Sequence, residues 1–264
     1  MFDTAFGNGN INISLHNHSN FSDGADSLEE MIAAAAESGL KVFGISDHWI
    51  VPPYEGTDWR EWGMAHQRLG EYVEQLLLLR KKYASDSFCV KIGLEVDFFF
   101  ENAEAVAADL KKYPIDYLIG SVHYTGLFSV DRAAEDWIAL SEAEKSDICQ
   151  HYYRKLSAAA ASGLYSFIGH LDLPKKFGLI DNSQYTAQAA EVLDAVAEKK
   201  GAIEINTSGW FKACGEPYPA GDILQGALQR NIPIVISSDA HCKQHIQRNF
   251  NEASWLLEGL KNSI

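Results

Sequence analysis

The sequence has 264 residues, 47% of them apolar and 22% charged, which is the composition of an ordinary globular protein able to bury a core. Its net charge of −14 argues against a nucleic-acid groove, because such a groove needs clustered Lys and Arg side chains. No apolar run approaches the roughly 20 residues that span a bilayer, so neither a nucleic-acid partner nor a membrane partner is predicted.

The N-terminal segment and the cysteines together predict a cytoplasmic protein. Residues 1–10 contain neither a basic region nor an apolar core, so we do not expect them to act as a secretory signal. The cysteines are far apart and form no Cys-x-x-Cys pair, which is typical of reduced thiols rather than a disulfide framework. They are Cys89, Cys149, Cys214 and Cys242.

The first informative stretch runs from residue 11 to residue 24. Apolar and polar residues alternate over 11–15, which predicts a short strand. His16 and His18 then share one face of the extended chain, and Asp23 follows in a Ser-Asp-Gly turn that bends back towards them. Two imidazoles and a carboxylate suit a transition metal, although this stretch alone equally fits a strand end with two hydrogen-bonded histidines.

Strands and helices alternate along the rest of the chain. The predicted strands are 41–46, 89–98, 116–120, 164–170, 202–206 and 233–237. The predicted helices are 27–38, 68–82, 103–112, 141–162, 184–200 and 251–261. Capping boxes are expected at Ser27 with Glu30 and at Ser141 with Glu144. The Pro-rich segment 49–58 is long enough to form a lid or a substrate wall.

This alternation predicts an α/β fold in which helical crossovers join parallel strands. Seven strand-helix units without a break in composition favour a closed or nearly closed (βα)7 TIM-like barrel, and an open doubly wound sheet is the alternative. We expect the whole chain, residues 1–264, to form a single domain.

Side chains able to bind metals recur where the predicted strands end. In a parallel barrel these ends lie on one face, so the side chains are expected to converge there. The candidate metal ligands are His16, His18, Asp23, His48, Glu95, His123, His170, Asp239 and His241. One zinc ion needs about four ligands, so nine ligands suit three ions, with Glu95 as the natural bridge between two of them.

Other residues near these positions have more ordinary interpretations. The remaining histidines are expected to be surface or packing residues, namely His66, His151 and His245. We expect Cys242 to be an inert thiol. Asp47 and Asp97 adjoin ligands and are either partners that orient imidazoles or plain turn carboxylates. The cluster of Tyr54, Trp59 and Trp62 is expected to pack in the lid.

Taken in order from Leu15 to His241, the motifs resemble those of the PHP (polymerase and histidinol phosphatase) superfamily. They are HNH with the SDG turn, SDHW, GLEVDF, SVH, GHLD and SSDAH. GHLDLPKKF, and EINTSG followed by EPYP, are most similar to the histidinol-phosphatase branch. The resemblance implies a distorted seven-stranded barrel with a trinuclear site of zinc, manganese or iron at the C-terminal ends of its strands.

The resemblance also implies roles for the ligands. One metal would be held by His16, His18, Glu95 and Asp239, a second by Glu95, His123 and His170, and a third by Asp23, His48 and His241. The implied reaction is hydrolysis of a small phosphate monoester by a metal-bound hydroxide, with histidinol phosphate as the expected substrate. The residues assigned to catalysis are Glu95, Asp239 and His241, and those assigned to substrate binding are Asn206, Lys176 and Lys212.

Phe211 departs from the family pattern. The branch commonly continues EINTSG with Leu-Arg-Lys, whereas this chain has Trp210-Phe211-Lys212. An aromatic ring does not replace a bidentate guanidinium. The basic side chains that could supply the charge instead are Lys175, Lys176, Lys212, Lys243 and Arg248, and each is equally consistent with a solvated surface residue.

Two other functions remain alternatives. One is a related phosphoesterase acting on a different small ester, which Phe211 and the Trp-rich loop favour. The other is a barrel that binds metals without catalysis. For the general acid, Asp172 and a metal-bound water are equal candidates. The sequence predicts no particular oligomeric state and does not distinguish among zinc, manganese and iron.

Overall fold

The computed structural model describes residues 9–264, so most of the segment tested for a secretory signal lies outside the described residues. The strands are β1 Ile13–Ser14, β2 Val42–Ile45, β3 His48–Trp49, β4 Cys89–Asp97, β5 Tyr117–Ser121, β6 Tyr124–Thr125, β7 Phe128–Ser129, β8 Phe167–Ile168, β9 Ile203–Asn206 and β10 Ile234–Ser237. Seven of them form a parallel sheet in the order β1-β2-β4-β5-β8-β9-β10, and β3 also pairs with β4.

The sheet curls until its first and last strands meet. Asn17, just after β1, forms a parallel bridge with Ala240, just after β10. The backbone N–H of His18 donates to the carbonyl of Ala240 at 2.8 Å, and the N–H of Gly9 donates to that of Ile234 at 3.0 Å. The predicted α/β barrel is therefore confirmed, and the alternative of an open doubly wound sheet is wrong.

The helices are α1 Leu28–Glu37, α2 Leu69–Tyr83, α3 Ala103–Leu110, α4 Ala134–Ile138, α5 Glu142–Ser162, α6 Thr186–Glu198, α7 Gly221–Gln229 and α8 Phe250–Lys261. Both predicted capping boxes are present, at Ser27 with Glu30 and at Ser141 with Glu144. Among residues 9–264, no helix is both long and apolar enough to cross a membrane.

Several short elements were not predicted, among them β3 and α4, and some predicted strands are shorter than expected. The hairpin of β6 and β7 follows β5, and α7 precedes β10. Gly221 and Gly226 are poor helix formers, which conceals α7 in the sequence. Of the predicted strand 164–170, only Phe167–Ile168 is strand, whereas the helix before it ends at Gly163, as predicted.

The inner layer of the barrel is organised by Tyr117. Its hydroxyl donates to the carbonyl of Leu15 at 2.5 Å, so the ring crosses from β5 to the first strand. The ring reaches that far because Gly44 and Gly93 lie beneath it without side chains. A Cβ at either glycine would lie 2.2 Å from a Tyr117 atom. Two larger apolar clusters pack the helices on the outside of the sheet.

We expect Gly93→Ala to lower the free energy of unfolding by about 1–3 kcal/mol, because its Cβ forces Tyr117 out of this layer. Gly70→Ala is the matched control. Gly70 lies in α2 with open space around it, and the change should stabilise the protein by up to about 1 kcal/mol. Urea unfolding of both variants tests this, and equal stability of Gly93→Ala and the wild type would refute the packing argument.

Candidate metal centre

The nine predicted ligands all come together at the C-terminal ends of the barrel strands. His16 and His18 follow β1, His48 lies in β3 and Glu95 lies in β4. The others follow β5, β8 and β10, and are His123, His170, Asp239 and His241. Asp23 comes from the turn after β1, which folds back so that the N–H of Gly24 donates to the carbonyl of Ser19 at 2.9 Å.

Glu95 is the centre of the group. Its carboxylate is 1% exposed and both oxygens face histidines. Oε2 lies 2.8–3.6 Å from a nitrogen of each of three histidines, which are His16, His18 and His48. Oε1 lies 2.8 Å from His170 Nε2 and 3.6 Å from His123 Nε2. A carboxylate with two oxygens facing separate sets of imidazoles has the arrangement of a bridging ligand.

The other two carboxylates face the outer side of the group. Asp239 Oδ1 lies 3.1 Å from His18 Nε2 and 3.5 Å from His16 Nε2. Asp23 Oδ2 lies 3.1 Å from His241 Nε2. Asp239 has a left-handed backbone with φ of +50°, which is uncommon for a residue other than glycine and is found at functional sites.

The donor set fits divalent metal ions. Four groups of three or four side chains have ligand atoms within 4.8 Å of one another, and together they include all nine predicted residues. Within residues 9–264, several of these buried atoms have no hydrogen-bond partner, including His16 Nε2, both ring nitrogens of His18 and Glu95 Oε2. Buried polar atoms are normally paired, so unpaired nitrogens directed at carboxylate oxygens indicate a place for cations.

Glu204 is a functional residue that the sequence reasoning missed. It is fully buried, and its Oε2 lies 2.9 Å from His16 Nδ1. Its Oε1 accepts from the backbone N–H of His170 at 2.6 Å and from Asn206 Nδ2 at 3.1 Å. One carboxylate thus orients ligands that follow β1 and β8, which is the usual task of a carboxylate bound to a metal-ligating histidine. The sequence feature that could have revealed this role is a glutamate inside an otherwise apolar predicted strand.

We expect Glu204→Gln to weaken metal binding by about 10- to 100-fold, because an amide is a much poorer acceptor for the His16 ring. Titration of the metal-free protein with Zn²⁺ measures this. Asp172→Asn is the matched control, because Asp172 is equally buried but binds Lys175 Nζ at 2.8 Å instead of a histidine. If both variants bind zinc equally well, Glu204 has no orienting role.

The two aspartates next to ligands have different roles. Asp97 Oδ1 lies 2.6 Å from His123 Nδ1, so the predicted role as an imidazole partner is confirmed for Asp97. Asp47 instead accepts from the backbone N–H and hydroxyl of Ser19, both at 2.8 Å, and from Ser22. It is the turn carboxylate of the alternative interpretation, and it holds the loop that carries Asp23.

Several other predicted residues can now be placed. Asp172 is wrong as a candidate general acid, because it is buried against Lys175 and the N–H of Ala220 and does not line the cavity over the ligands. Asn206 is also fully buried. Its amide nitrogen lies 3.1 Å from Glu204 Oε1 and 3.2 Å from Asp239 Oδ2, so its predicted contact with a substrate stays a prediction.

The histidines set aside in the sequence lie outside the ligand group. His66 stacks on Trp59 and contacts the carbonyl of Ile50 at 2.7 Å, as expected of a packing residue. His245 Nδ1 lies 3.2 Å from Cys242 Sγ. None of these residues belongs to the four ligand groups of residues 9–264.

A cavity of about 590 Å³ opens over the ligands. Lys176 and Lys212 line it, and Lys176 Nζ is held by the backbone carbonyl of Asp131 at 2.7 Å. Trp62 forms one wall, edge-on to His48 and His123 with ring centroids 4.7 and 5.2 Å away. The space therefore combines polar ligands, basic side chains and an aromatic wall, as a site for a small anionic molecule requires.

The loop that carries Trp62 is fastened to the hairpin of β6 and β7. Trp62 Nε1 donates to the hydroxyl of Tyr124 at 3.1 Å, and this hydroxyl donates to Asp58 Oδ1 at 2.5 Å. Trp59 is buried in the same aromatic cluster, whereas Tyr54 packs at its edge. Packing in this loop is thus confirmed, and Trp62 is in addition a wall of the cavity.

Comparison with known proteins agrees with this geometry. The PHP domain family matches residues 14–208. Over 225 residues the chain is 36% identical to a protein of Deinococcus radiodurans named probable histidinol-phosphatase, which covers 85% of this chain and 84% of that protein.

Two solved structures have a similar fold. A candidate histidinol phosphatase from Listeria monocytogenes has a TM-score of 0.79 at 25% identity, over 91% of this chain and 99% of the other. A histidinol phosphate phosphatase from Lactococcus lactis has a TM-score of 0.74 at 22% identity, over 94% of this chain and 93% of the other. That crystal structure is described as a complex with zinc, L-histidinol and phosphate.

Proposed function

The chain belongs to the PHP domain family, and from this premise we propose that it is a metal-dependent phosphomonoesterase that hydrolyses histidinol phosphate in histidine biosynthesis. The observation that supports this best is Glu95, buried with five histidines facing its two oxygens beneath a cavity that two lysines line. The names of the relatives and the ligands of the Lactococcus lactis structure support the substrate.

We propose that three divalent ions bind here, in the three ligand sets that the resemblance implies, with Glu95 shared between two of them. Zinc is the first candidate, and the same nitrogen and oxygen donors also suit manganese and iron. The three carboxylates offset about half of the six positive charges of three such ions, so the pocket attracts a phosphate although the protein is acidic. When bound, the ions would supply the hydroxide that attacks phosphorus and would neutralise charge on the phosphoryl oxygens.

The side chains of the protein have four tasks in this reaction. Glu95, Asp239 and His241 hold the ions, and Glu204 and Asp97 orient the histidines beside them. Lys176 and Lys212 add positive charge where the phosphate enters. Trp62 covers one side of the ligands and limits access of bulk water, which strengthens electrostatic interactions inside the cavity. We also propose that residues 1–264 form one domain, since one sheet contains strands from residue 13 to residue 237.

Hydrolysis of a different small phosphate ester is the second candidate function. Phe211 favours it, because this ring is half exposed at the cavity in place of the expected arginine. A substrate with an apolar or aromatic group could contact Phe211 and Trp62. A barrel that binds metals without catalysis would share the ligand set and release no phosphate from any ester.

Phosphate release from histidinol phosphate and from a panel of small phosphomonoesters, with added Mn²⁺ or Zn²⁺, tests the proposal. We expect histidinol phosphate to exceed the others in kcat/KM by about a hundredfold, since a matched polar group in a buried site discriminates by several kcal/mol. If another ester of the panel has a higher kcat/KM than histidinol phosphate, the second function, hydrolysis of a different small ester, is established. If the metal-loaded protein releases phosphate from no ester, the protein is a barrel that binds metals without catalysis.

A further inference from the structure

Arg248 lies at the rim of the cavity with its guanidinium over the ring of Phe211. The Arg248 Cζ atom is 3.8 Å from the ring centroid, and both side chains line the cavity together with the metal ligands. The two segments are also tied through their backbones, because Thr207 Oγ1 donates to the carbonyl of Arg248 at 2.6 Å. Thr207 begins the 3-10 helix that ends at Phe211. The Phe211 ring thus contacts the guanidinium, and the Thr207 hydrogen bond fixes the backbone that carries it.

This guanidinium keeps its hydrogen-bond donors free. Arg248 Nε is buried and has no partner within residues 9–264, and no acidic side chain of that part of the chain lies within 4.0 Å of the group. Arg230, by contrast, donates to Asp194 Oδ1 at 2.7 Å. An aromatic ring contacts the face of a guanidinium and leaves its edge available. The guanidinium of Arg248 thus offers a planar set of donors that no carboxylate of residues 9–264 occupies.

The basic side chains around Arg248 outnumber their acidic partners, although the Asp239 carboxylate is near enough to attract the guanidinium. Lys212 follows Phe211 directly and forms no ion pair with residues 9–264. Burial lowers the pKa of Lys212, and the positive charges of Lys176 and Arg248 lower it further, against the opposing effect of Asp239 and Asp131. The three basic groups are therefore close enough to repel one another. Of these three basic side chains, only Lys176 forms an ion pair with residues 9–264, and its Nζ lies 3.2 Å from Asp131 Oδ2. Such a group of cations beside a metal centre is stabilised by binding an anion.

We propose that Arg248, supported by Phe211, is the residue that binds the non-reacting phosphate oxygens of the substrate in this chain. This inference rests on the proposed phosphatase function and names a specificity residue within it. Phe211, which does not bind phosphate itself, then has a role as the platform for a guanidinium that comes from the loop after β10. Lys212, which directly follows Phe211 and lines the same cavity, adds a second positive charge.

Calorimetric titration of the zinc-loaded protein with inorganic phosphate tests the proposal. We expect Arg248→Met to bind phosphate about 10- to 100-fold more weakly with unchanged zinc content, because it loses a charged bidentate contact. Arg248→Lys should bind with intermediate affinity, since an ammonium cannot replace the planar fork. Arg230→Met is the matched control and should bind phosphate as the wild type does. Phe211→Arg added to Arg248→Met should restore part of the affinity.

The outcomes separate this inference from the proposed function. If Arg248→Met binds phosphate as tightly as the wild type, and both release phosphate from an ester, Arg248 has no role in binding and the phosphatase function stands. Loss of zinc from Arg248→Met would assign Arg248 to the stability of the centre and overturn the proposal. A zinc-loaded wild type that neither binds phosphate nor hydrolyses any ester would overturn both proposals.

Discussion

Replacing Glu95 with glutamine is expected to lower kcat/KM by on the order of 1,000-fold or more and to reduce the number of metal ions bound. The amide has almost the same shape, so it fills the same buried space, but it removes the charge that faces five imidazoles. Stabilisation of the transition state by metal ions is worth several kcal/mol, and each 1.36 kcal/mol is a factor of ten in rate. If Glu95 is shared between two ions as proposed, its replacement affects the binding of both.

Metal analysis and steady-state kinetics of the purified variant measure this effect. Glu101→Gln is the matched control, because Glu101 follows the same strand but is exposed. The control should keep its metal content and its activity. If Glu95→Gln retained full metal content and more than about a tenth of the activity, Glu95 would not be the bridging ligand, and the assignment of the metal sets would need to change.

Removal of the metal ions by a chelator is expected to abolish turnover while the barrel stays folded. The ligands lie at one end of the strands, whereas the apolar clusters that join sheet and helices are separate from them. These clusters provide most of the stability of the fold. We therefore expect the ions to be needed for the reaction and not for holding the strands together. Adding Zn²⁺ or Mn²⁺ back should restore activity.

Two of the ligands can take up part of the lost positive charge by protonation. In the metal-free protein, burial opposes protonation of His123, but the Asp97 and Glu95 carboxylates outweigh it and raise the pKa to about 10. For His241, burial is likewise outweighed by the Asp23 and Asp239 carboxylates, which raise the pKa to about 9. These imidazolium cations stabilise the metal-free fold fully below pH 6.5, and the effect is lost as the pH rises through 9 to 10.

Far-ultraviolet circular dichroism during chelation and an activity assay on the same sample test this prediction. The spectrum should not change at pH 7 while phosphate release stops. Unfolding on chelation would show that the ions are structural, as in small zinc domains that fold only with metal. Undiminished activity with less than one ion per chain would show that the reaction does not need the metals.

The amino-acid sequence was sufficient to predict the barrel and the nine candidate ligands. The reason is topological, since the C-terminal ends of parallel strands must meet at one end of a barrel. A histidine or carboxylate at a strand end therefore has a predictable location even when its partners are far along the chain. Glu95 was predicted as the bridge from its two oxygens, and the structure places it between two sets of histidines.

Only the tertiary structure decided which residues support those ligands. Glu204 is 188 residues from His16 along the chain, and nothing in a strand of apolar character shows that its carboxylate contacts that ring. The roles of Asp47 and Asp97 differ although each adjoins a ligand, because the side chain of one turns towards the Ser19 loop and the other towards His123. Asp172, which the sequence offered as an acid, is bound by Lys175.

The same distinction applies to Phe211 and Arg248. The sequence showed that residue 211 is not an arginine, and it offered five basic residues as possible replacements without ranking them. The structure brings Arg248 onto the Phe211 ring because the loops after β9 and β10 are neighbours at the end of the barrel. Local patterns thus determined the elements and the ligands, whereas contacts between distant segments depend on packing, which no single stretch of sequence specifies.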